Sequence, residues 1–252
     1  MNPLINIVVP VYNSELWIKD CLKSIFLQSY KNWKCIIIND ASTDKTKNIL
    51  DKTDFINNDN RFKVIHNKYN KKALFNIVKG FDLLECKKNP NSILTVIDGD
   101  DFLYNESSLE KVVSYYKKDK DLLLTYGNWI GHPCRSRSNC FKYNNNIIKN
   151  NLFRSSPFVA SHLRTFKSKL WYSIDLNDLK DKQNNFFTVA WDVAFMIPML
   201  EMSQEKHVFI EDILYVYNKE NPISDYKVRL KEQEDTARFI KEKKAYERKE
   251  FL

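Results

Sequence analysis

The 252-residue chain reads as an α/β fold in which a mainly parallel sheet is covered by helices on both faces. Three observations predict it. Up to about residue 105, short apolar runs alternate with segments whose apolar residues recur at helical spacing. The runs carry Val and Ile at consecutive positions, as strands buried on both faces do, and each stops at Pro, Asn, Asp or Gly. A composition of 43% hydrophobic and 13% aromatic residues supplies the core such a fold needs.

The elements follow in order. "INIVVPVYN" is the first strand, closed by Pro10 and Asn13. In "SELWIKDCLKSIFLQSY", Ser14 offers an N-cap, and Trp17, Ile18, Cys21, Leu22, Ile25 and Phe26 make one buried helical face. "WKCIIIND" is the second strand and ends on Asp40; "ASTDKTKNILDK" is a short amphipathic helix and "RFKVIHN" the third strand. "KALFNIVKGFDLLEC" spaces Leu74, Ile77, Val78, Phe81 and Leu84 as a third helix, and "SILTVIDGDD" is the fourth strand.

Beyond residue 105, a helix near Ser107 to Lys118 and a strand, "LLLTYGNWI", precede a polar stretch, "GHPCRSRSNCFKYNNN", with the character of a loop or flap. "HLRTFKSKLWYSI" is a strand turning into a helix, "TVAWDVAFMIPMLEM" a helix with Trp191 and Asp192 near its start, and "HVFIEDILYVYN" two short strands. The tail from Ser224 to Leu252 is charged and helical in propensity, with a weak apolar stripe at Tyr226, Leu230, Ala237 and Ile240. It has three fates: packing on the sheet, packing on a second subunit in a homodimer, or packing on nothing.

The formal charge of +8 comes from lysines scattered along the chain, not gathered in one stripe, and no nucleic-acid partner is expected. Cys21, Cys35, Cys86, Cys134 and Cys140 form no CxxC pair and are odd in number, which speaks against a disulfide framework or a zinc site and for a reducing compartment. No apolar run approaches the roughly 18 residues of a transmembrane helix, and "INIVVPV" lacks a basic leader or cleavage site. A cytoplasmic protein with no signal peptide or transmembrane segment is the expectation.

Ligands of a parallel sheet sit beyond the carboxyl ends of its strands. That rule brings Pro10 to Asn13, Asp40 to Asp44, His66 to Asn70 and Asp98 to Asp101 to one rim. "DGDD" crowds three acids where like charges repel, and a hard divalent cation, Mn²⁺ or Mg²⁺, relieves the crowding while leaving positions open for phosphate oxygens. Asp98 and Asp100 are the ligands this predicts. In the plainer alternative Asp98 caps a turn, Gly99 takes a left-handed position and the next aspartates begin a helix. Asp40, ending the neighbouring strand, is placed to accept the N3 hydrogen of uracil, which cytosine does not offer, and Tyr12 to lie against the base. Together they describe a pocket for a nucleoside diphosphate.

The stretch "VVPVYNSELWIKDCLKSIFLQSYKNWKCIIINDASTD" followed by "VIDGDD" resembles the family-2 glycosyltransferases of the GT-A fold, over residues 4–105 in order and spacing, and more loosely to residue 218 through "HLRTFK", "WD" and "LYVYN". The resemblance implies a Rossmann-like, mainly parallel sheet flanked by helices, with a smaller C-terminal acceptor-side region and a C-terminal helix. It divides the chain into a nucleotide-sugar-binding subdomain (1–105), an acceptor-binding and catalytic subdomain (106–223) and a charged helical tail (224–252). It implies a metal-dependent inverting transferase that uses a nucleotide sugar, most often a UDP-sugar. The expectation is a hexose, from UDP-glucose or UDP-galactose by preference, moved to a hydroxyl-bearing glycan or protein acceptor; the acceptor is not written in the residues, and a hydroxylysine-type side chain is one case with no motif behind it. By the family pattern Pro10, Val11 and Tyr12 line the nucleoside site with Asn13 beside them, Asp40 meets the base, Asp98 with Gly99 contacts the ribose or metal, and Asp100 holds the metal.

Two departures stand out. "NKKALFN" places Lys72 where relatives often carry Gly, and Lys72 either reaches the nucleotide or projects into water. In "NDASTD" Asn39 replaces an acid that does not read the base. On the acceptor side the resemblance makes Asp192 the candidate general base, with Trp191 beside it for a sugar ring; the other reading of Asp192 is favourable placement at a helix N-terminus. Glu211 and Asp212 are alternative acids. His162 and Arg164 are candidates for the diphosphate, Arg164 as a charge-assisted fork, and His162 alternatively for the metal shell. His207 reads as scaffold, and Arg135 and Arg137 as residues of a lid. Two other classes compete. A nucleotidyltransferase should carry a glycine-rich phosphate loop after the first strand, and with four glycines in the chain "PVYNSELW" provides none. A catalytically silent module that binds a sugar nucleotide or glycan stays open.

Overall fold

The computed structural model describes residues 2–251. Met1 and Leu252, which end the first and last of the expected subdomains, lie outside the described residues. The strands are β1 (Ile5–Val11), β2 (Trp33–Asn39), β3 (Phe62–His66), β4 (Ile93–Val96), β5 (Phe102–Leu103), β6 (Leu124–His132), β7 (Thr165–Lys167) and β8 (His207–Asn218). They form one sheet in the order β3-β2-β1-β4-β7-β6-β8-β5. The β1, β2, β3 and β4 pairings are parallel, as is β6 with β8; β7 runs antiparallel to β4 and β6, and β5 antiparallel to β8.

The helices are α1 (Ile18–Phe26), α2 (Thr46–Lys52), α3 (Asp54–Asn57), α4 (Ala73–Leu83), α5 (Ser108–Lys118), α6 (Asn145–Lys149), α7 (Ser168–Trp171), α8 (Trp191–Ser203), α9 (Asp225–Val228) and α10 (Leu230–Glu242). Side chains alternate across a strand, so consecutive Val and Ile residues feed two cores. Val8, Ile36 and Ile38 pack on one side with Leu74, Ile77 and Phe81 of α4 and with α8. Ile5, Ile7 and Val9, with Cys35 and Ile37, pack on the other with α1 and α5. Each such buried side chain contributes about 1.5–3 kcal/mol. Gly80 lets α4 approach closely, since a Cβ there would sit 2.7 Å from Val8 Cγ1.

The strand β5 carries the chain from the end of β4 to the far edge of the sheet, where Phe102 faces Val216 and Leu103 faces Tyr215. That pairing sets the "DGDD" turn against the end of β8. "HVFIEDILYVYN", expected as two strands, is the single strand β8; its register against β6 breaks between Gly127↔Ile210 and Asn128↔Ile213, so Glu211 and Asp212 form a bulge. Ser14 does not cap α1. Its carbonyl accepts the N–H groups of Trp17 and Ile18, and its hydroxyl donates to the Tyr12 carbonyl. The polar stretch folds back on β6 through an Ile130↔Arg137 bridge and a bond from Gly131 N to the Ser136 carbonyl.

The tail packs against the second half of its own chain, on α8 and its neighbouring loops. Ile240 is buried, Arg154 donates both to its carbonyl and to buried Glu201 of α8, and Lys243 donates to the carbonyls of Asn177, Asp178 and Lys180. No helix among the described residues is long and apolar enough to cross a membrane.

Candidate active site

The carboxyl ends of β1 to β4 meet one cavity of about 530 Å³, and of the residues nominated from the sequence Pro10 to Asn13, Asp40, Lys72, Asp98 to Asp100, His162, Arg164 and Asp192 line it. Asp40, 3% exposed, is fully engaged: Oδ1 accepts from Asn67 Nδ2 at 2.9 Å and from Lys71 N at 2.8 Å, and Oδ2 from Lys72 N at 2.7 Å. A carboxylate offers about four lone-pair directions, so one remains at Oδ2. These bonds fold the loop before α4 around Asp40 and hold Lys72 at φ 69°, ψ 165°, a conformation that favours glycine. Lys72 therefore takes a backbone conformation that glycine adopts more readily. Asn13 is committed elsewhere: its Oδ1 accepts from Thr43 N at 2.8 Å and its Nδ2 donates to Thr43 Oγ1, sewing the loop after β1 to the loop after β2.

The "DGDD" turn departs from the plainer reading of it. Gly99 has no positive φ; it is needed because a Cβ would lie 2.7 Å from Val11 Cβ. No helix follows at once, since β5 intervenes. The expected metal set of Asp98, Asp100 and His162 is also altered. Ligand atoms of Asp98, Asp101 and His162 lie within 4.8 Å of one another, whereas Asp100 Oδ2 accepts from Asn221 Nδ2 at 2.6 Å. Asp101, 1% exposed, accepts from Asn218 N through Oδ1 at 2.7 Å, and its Oδ2 is buried with no partner. Burial, and then the charge of Asp100, pushes the Asp98 carboxyl up to about 7, against the opposing pull of Arg164. Burial raises Asp100 and Asp101 as well, the latter also through Asp100 and Asp98, against the opposing pull of the Asn218 N–H and the Tyr215 hydroxyl.

His162 stacks on Tyr215 with centroids 4.3 Å apart, and its Nε2 lies 4.0 Å from Asp98 Oδ2 and 2.7 Å from Arg164 Nη2. A guanidinium only donates, so Nε2 presents its lone pair and the ring is neutral. Burial and the Arg164 charge hold its pKa well below the ordinary histidine value. Arg164 also reaches Asp192 Oδ2 at 3.4 Å, while Asp192 Oδ1 accepts the N–H of Val193 in the first turn of α8. Asp192 thus lines the cavity and also bonds within the first turn of α8.

Glu211, Asp212, Arg135 and Arg137 do not line the cavity. Asp212 pairs with Lys111 at 2.9 Å. His207 lies among Tyr126, Tyr143 and Phe153, and burial takes its pKa down to about 4; it is scaffold.

The sequence profile of glycosyl transferase family 2 matches residues 6–172. The chain belongs to this family. The glycosyltransferase GlyG of Streptococcus pneumoniae is 24% identical to this family-2 chain over 235 residues, 87% of the chain and 72% of GlyG. An uncharacterized glycosyltransferase of Haemophilus influenzae is 33% identical over 128 residues, 51% of the chain; the match spans 37% of that relative's length. Among solved structures, the mannosyltransferase PcManGT from Pyrobaculum calidifontis, in complex with GDP-Man and Mn²⁺, superposes with a TM-score of 0.65 at 16% identity over 98% of this chain and 66% of its own. Residues 1–349 of TarS from S. aureus, in complex with UDP-GlcNAc, superpose with a TM-score of 0.59 at 17% identity over 86% and 59%. The architecture is the GT-A fold.

One wall of the family-2 cavity was not nominated from the sequence. The segment after β8 contributes Asn221, Asp225, Tyr226 and Arg229. Arg229 donates to Thr188 Oγ1 at 2.7 Å and pairs with Glu232, closing this wall over the start of α8. The only signal was the weak apolar stripe of the tail, which does not say where the stripe packs. Asp101 was visible as the last acid of "DGDD", and its burial was not.

Proposed function

We propose that the chain transfers a hexose from a UDP-sugar, UDP-glucose or UDP-galactose favoured, to a hydroxyl on a glycan or protein acceptor, with inversion and with help from Mn²⁺ or Mg²⁺. The observation that carries this is the shared cavity, in which Asp40 of one strand tip and three crowded acids of another converge. The donor set present fits a hard divalent ion: carboxylate oxygens, among them the buried Asp101 Oδ2, and a neutral imidazole whose lone pair, now turned to Arg164, would have to be released to the ion. Asp98 and His162 would hold the ion with Asp100 or Asp101. Such an ion, when bound, neutralises charge on a leaving diphosphate.

The protein's own part follows from position. The free lone pair of Asp40 accepts N3–H of the uracil, and a base without that hydrogen leaves a buried acceptor facing a lone pair, at about 1–3 kcal/mol. Tyr12 covers the base, and Lys72, whose Nζ has no partner among the described residues, adds a cation at the donor. Asp192 takes the proton of the acceptor hydroxyl as it attacks, with Arg164 fixing its carboxylate. The subdomains 1–105 and 106–223 divide these duties as donor and acceptor sides, with the tail 224–252 bracing the second. Support for a nucleotide-sugar donor comes from the UDP-GlcNAc and GDP-Man complexes of the structural neighbours.

The bonds Asp192 makes to Arg164 and Val193 favour a second reading, a module that binds the donor without turnover. Radiolabelled UDP-sugars separate the two. Metal-dependent release or transfer of sugar, reduced about 100-fold or more in Asp192→Asn with UDP binding retained, supports transfer. UDP binding with no turnover in either protein supports the silent module.

A further inference from the structure

We propose that Asn221 is a positioning residue for Asp100: it holds this carboxylate away from the cation site, so that the segment after β8 and a divalent cation are alternative partners of the same group. The inference rests on the metal reading above and adds a coupling between the ion and one wall of the cavity.

Asp100 is the middle acid of the turn, yet it stands outside the cluster that Asp98, Asp101 and His162 form. What holds it out is the 2.6 Å bond from Asn221 Nδ2 to Asp100 Oδ2. The amide orientation is fixed from both ends. Asn221 Oδ1 accepts from Ile223 N at 3.1 Å, so Nδ2 faces Asp100, and an ionised carboxylate can only accept. Asn221 is 5% exposed, so this donor is shielded from competing water.

The same residue anchors the wall. Its carbonyl accepts from Ser224 Oγ at 2.9 Å and from Lys227 Nζ at 3.0 Å, at the start of the segment that brings Asp225, Tyr226 and Arg229 to the cavity. A second tie, from Asn218 N to Asp101 Oδ1, joins the same turn to the end of β8. For Asp100 to turn toward Asp98 and His162, its oxygen must leave Asn221. Occupation of the site by a cation that takes Asp100 Oδ2 as a ligand therefore unlatches residues 221–229 from the turn, and the latch in turn weakens cation binding, because linkage between two partners of one group is reciprocal.

Asn221→Ala in the full chain tests this through Mn²⁺ affinity, read from the free-ion electron paramagnetic resonance signal, with hydrogen exchange of residues 221–229 followed in the unsubstituted protein. The expected result is Mn²⁺ binding about tenfold tighter in the variant, the equilibrium equivalent of one donor removed from a carboxylate, and faster exchange of the segment when Mn²⁺ is added. An anchor of purely structural importance lowers the melting temperature without tightening Mn²⁺. Equal or weaker Mn²⁺ binding in Asn221→Ala, or exchange unmoved by Mn²⁺, overturns the latch alone. Absence of Mn²⁺ binding in both proteins overturns the metal reading, and the latch with it.

Discussion

Asp40 and Asp101 are both buried carboxylates at the tips of parallel strands, and they are provisioned in opposite ways. Asp40 accepts three N–H groups, two of them from the backbone of the loop it organises. Asp101 accepts one, leaves an oxygen bare, and sits beside Asp98 and Asp100 in a group whose burial raises every pKa in it. A carboxylate with its donors in place shapes the loop that supplies them. One short of donors, with only the Asn218 N–H and the neighbouring Tyr215 hydroxyl to offset its burial, is what supports the proposal of a cation at its strand tip.

Substitution at the two tips should move stability in opposite directions. Asp40→Ala orphans three donors and should cost about 3 kcal/mol, a fall of roughly 8 °C in Tm. Asp98→Asn should do the reverse. The folded-state pKa of Asp98, raised to about 7, lies above its unfolded value near 4, so the stability this group contributes is present at about pH 4 and lost as the pH rises to 7. The variant has no such proton to lose. Without metal it should melt at least about 3 °C above the parent near pH 7.5, with the gap closing toward about pH 4. Equal losses at both tips would remove the distinction between them.

The smallest effect sharpens the Asp40 side. Lys72 is held at φ 69° by the same loop, and Lys72→Gly should relieve about 1 kcal/mol after the extra entropy of glycine is counted, raising Tm by about 2 °C. UDP affinity should fall several-fold in the same protein. Calorimetric titration of UDP reads that loss, and an unchanged affinity would place the side chain in water.

Most of the first half was legible in the sequence, because period and termination are local properties. Val and Ile runs fixed β1 to β4, and the strand-end rule then gathered Asp40 and Asp98 without any knowledge of their contacts. What escaped depends on residues far apart in the chain. Asn218 and Asn221 meet Asp101 and Asp100 across separations of 117 and 121 residues, and no local pattern marks an asparagine as the partner of an acid that distant. Gly99 was legible as a necessary glycine but for the wrong reason: the constraint is the side chain of Val11 on the neighbouring strand, not its own backbone angle. "FIEDIL" carries two charges where a turn is common, and the strand absorbs them instead as a bulge whose acids face outward.

On the proposal above, a divalent cation completes the crowded tip and in turn holds a uridine diphosphate. Titrating UDP into the protein with Mn²⁺ and with chelator tests it most directly. UDP should bind at least about tenfold tighter with Mn²⁺, an enhancement lost in Asp98→Asn. UDP binding of equal strength in chelator, or an enhancement that survives Asp98→Asn, would contradict it.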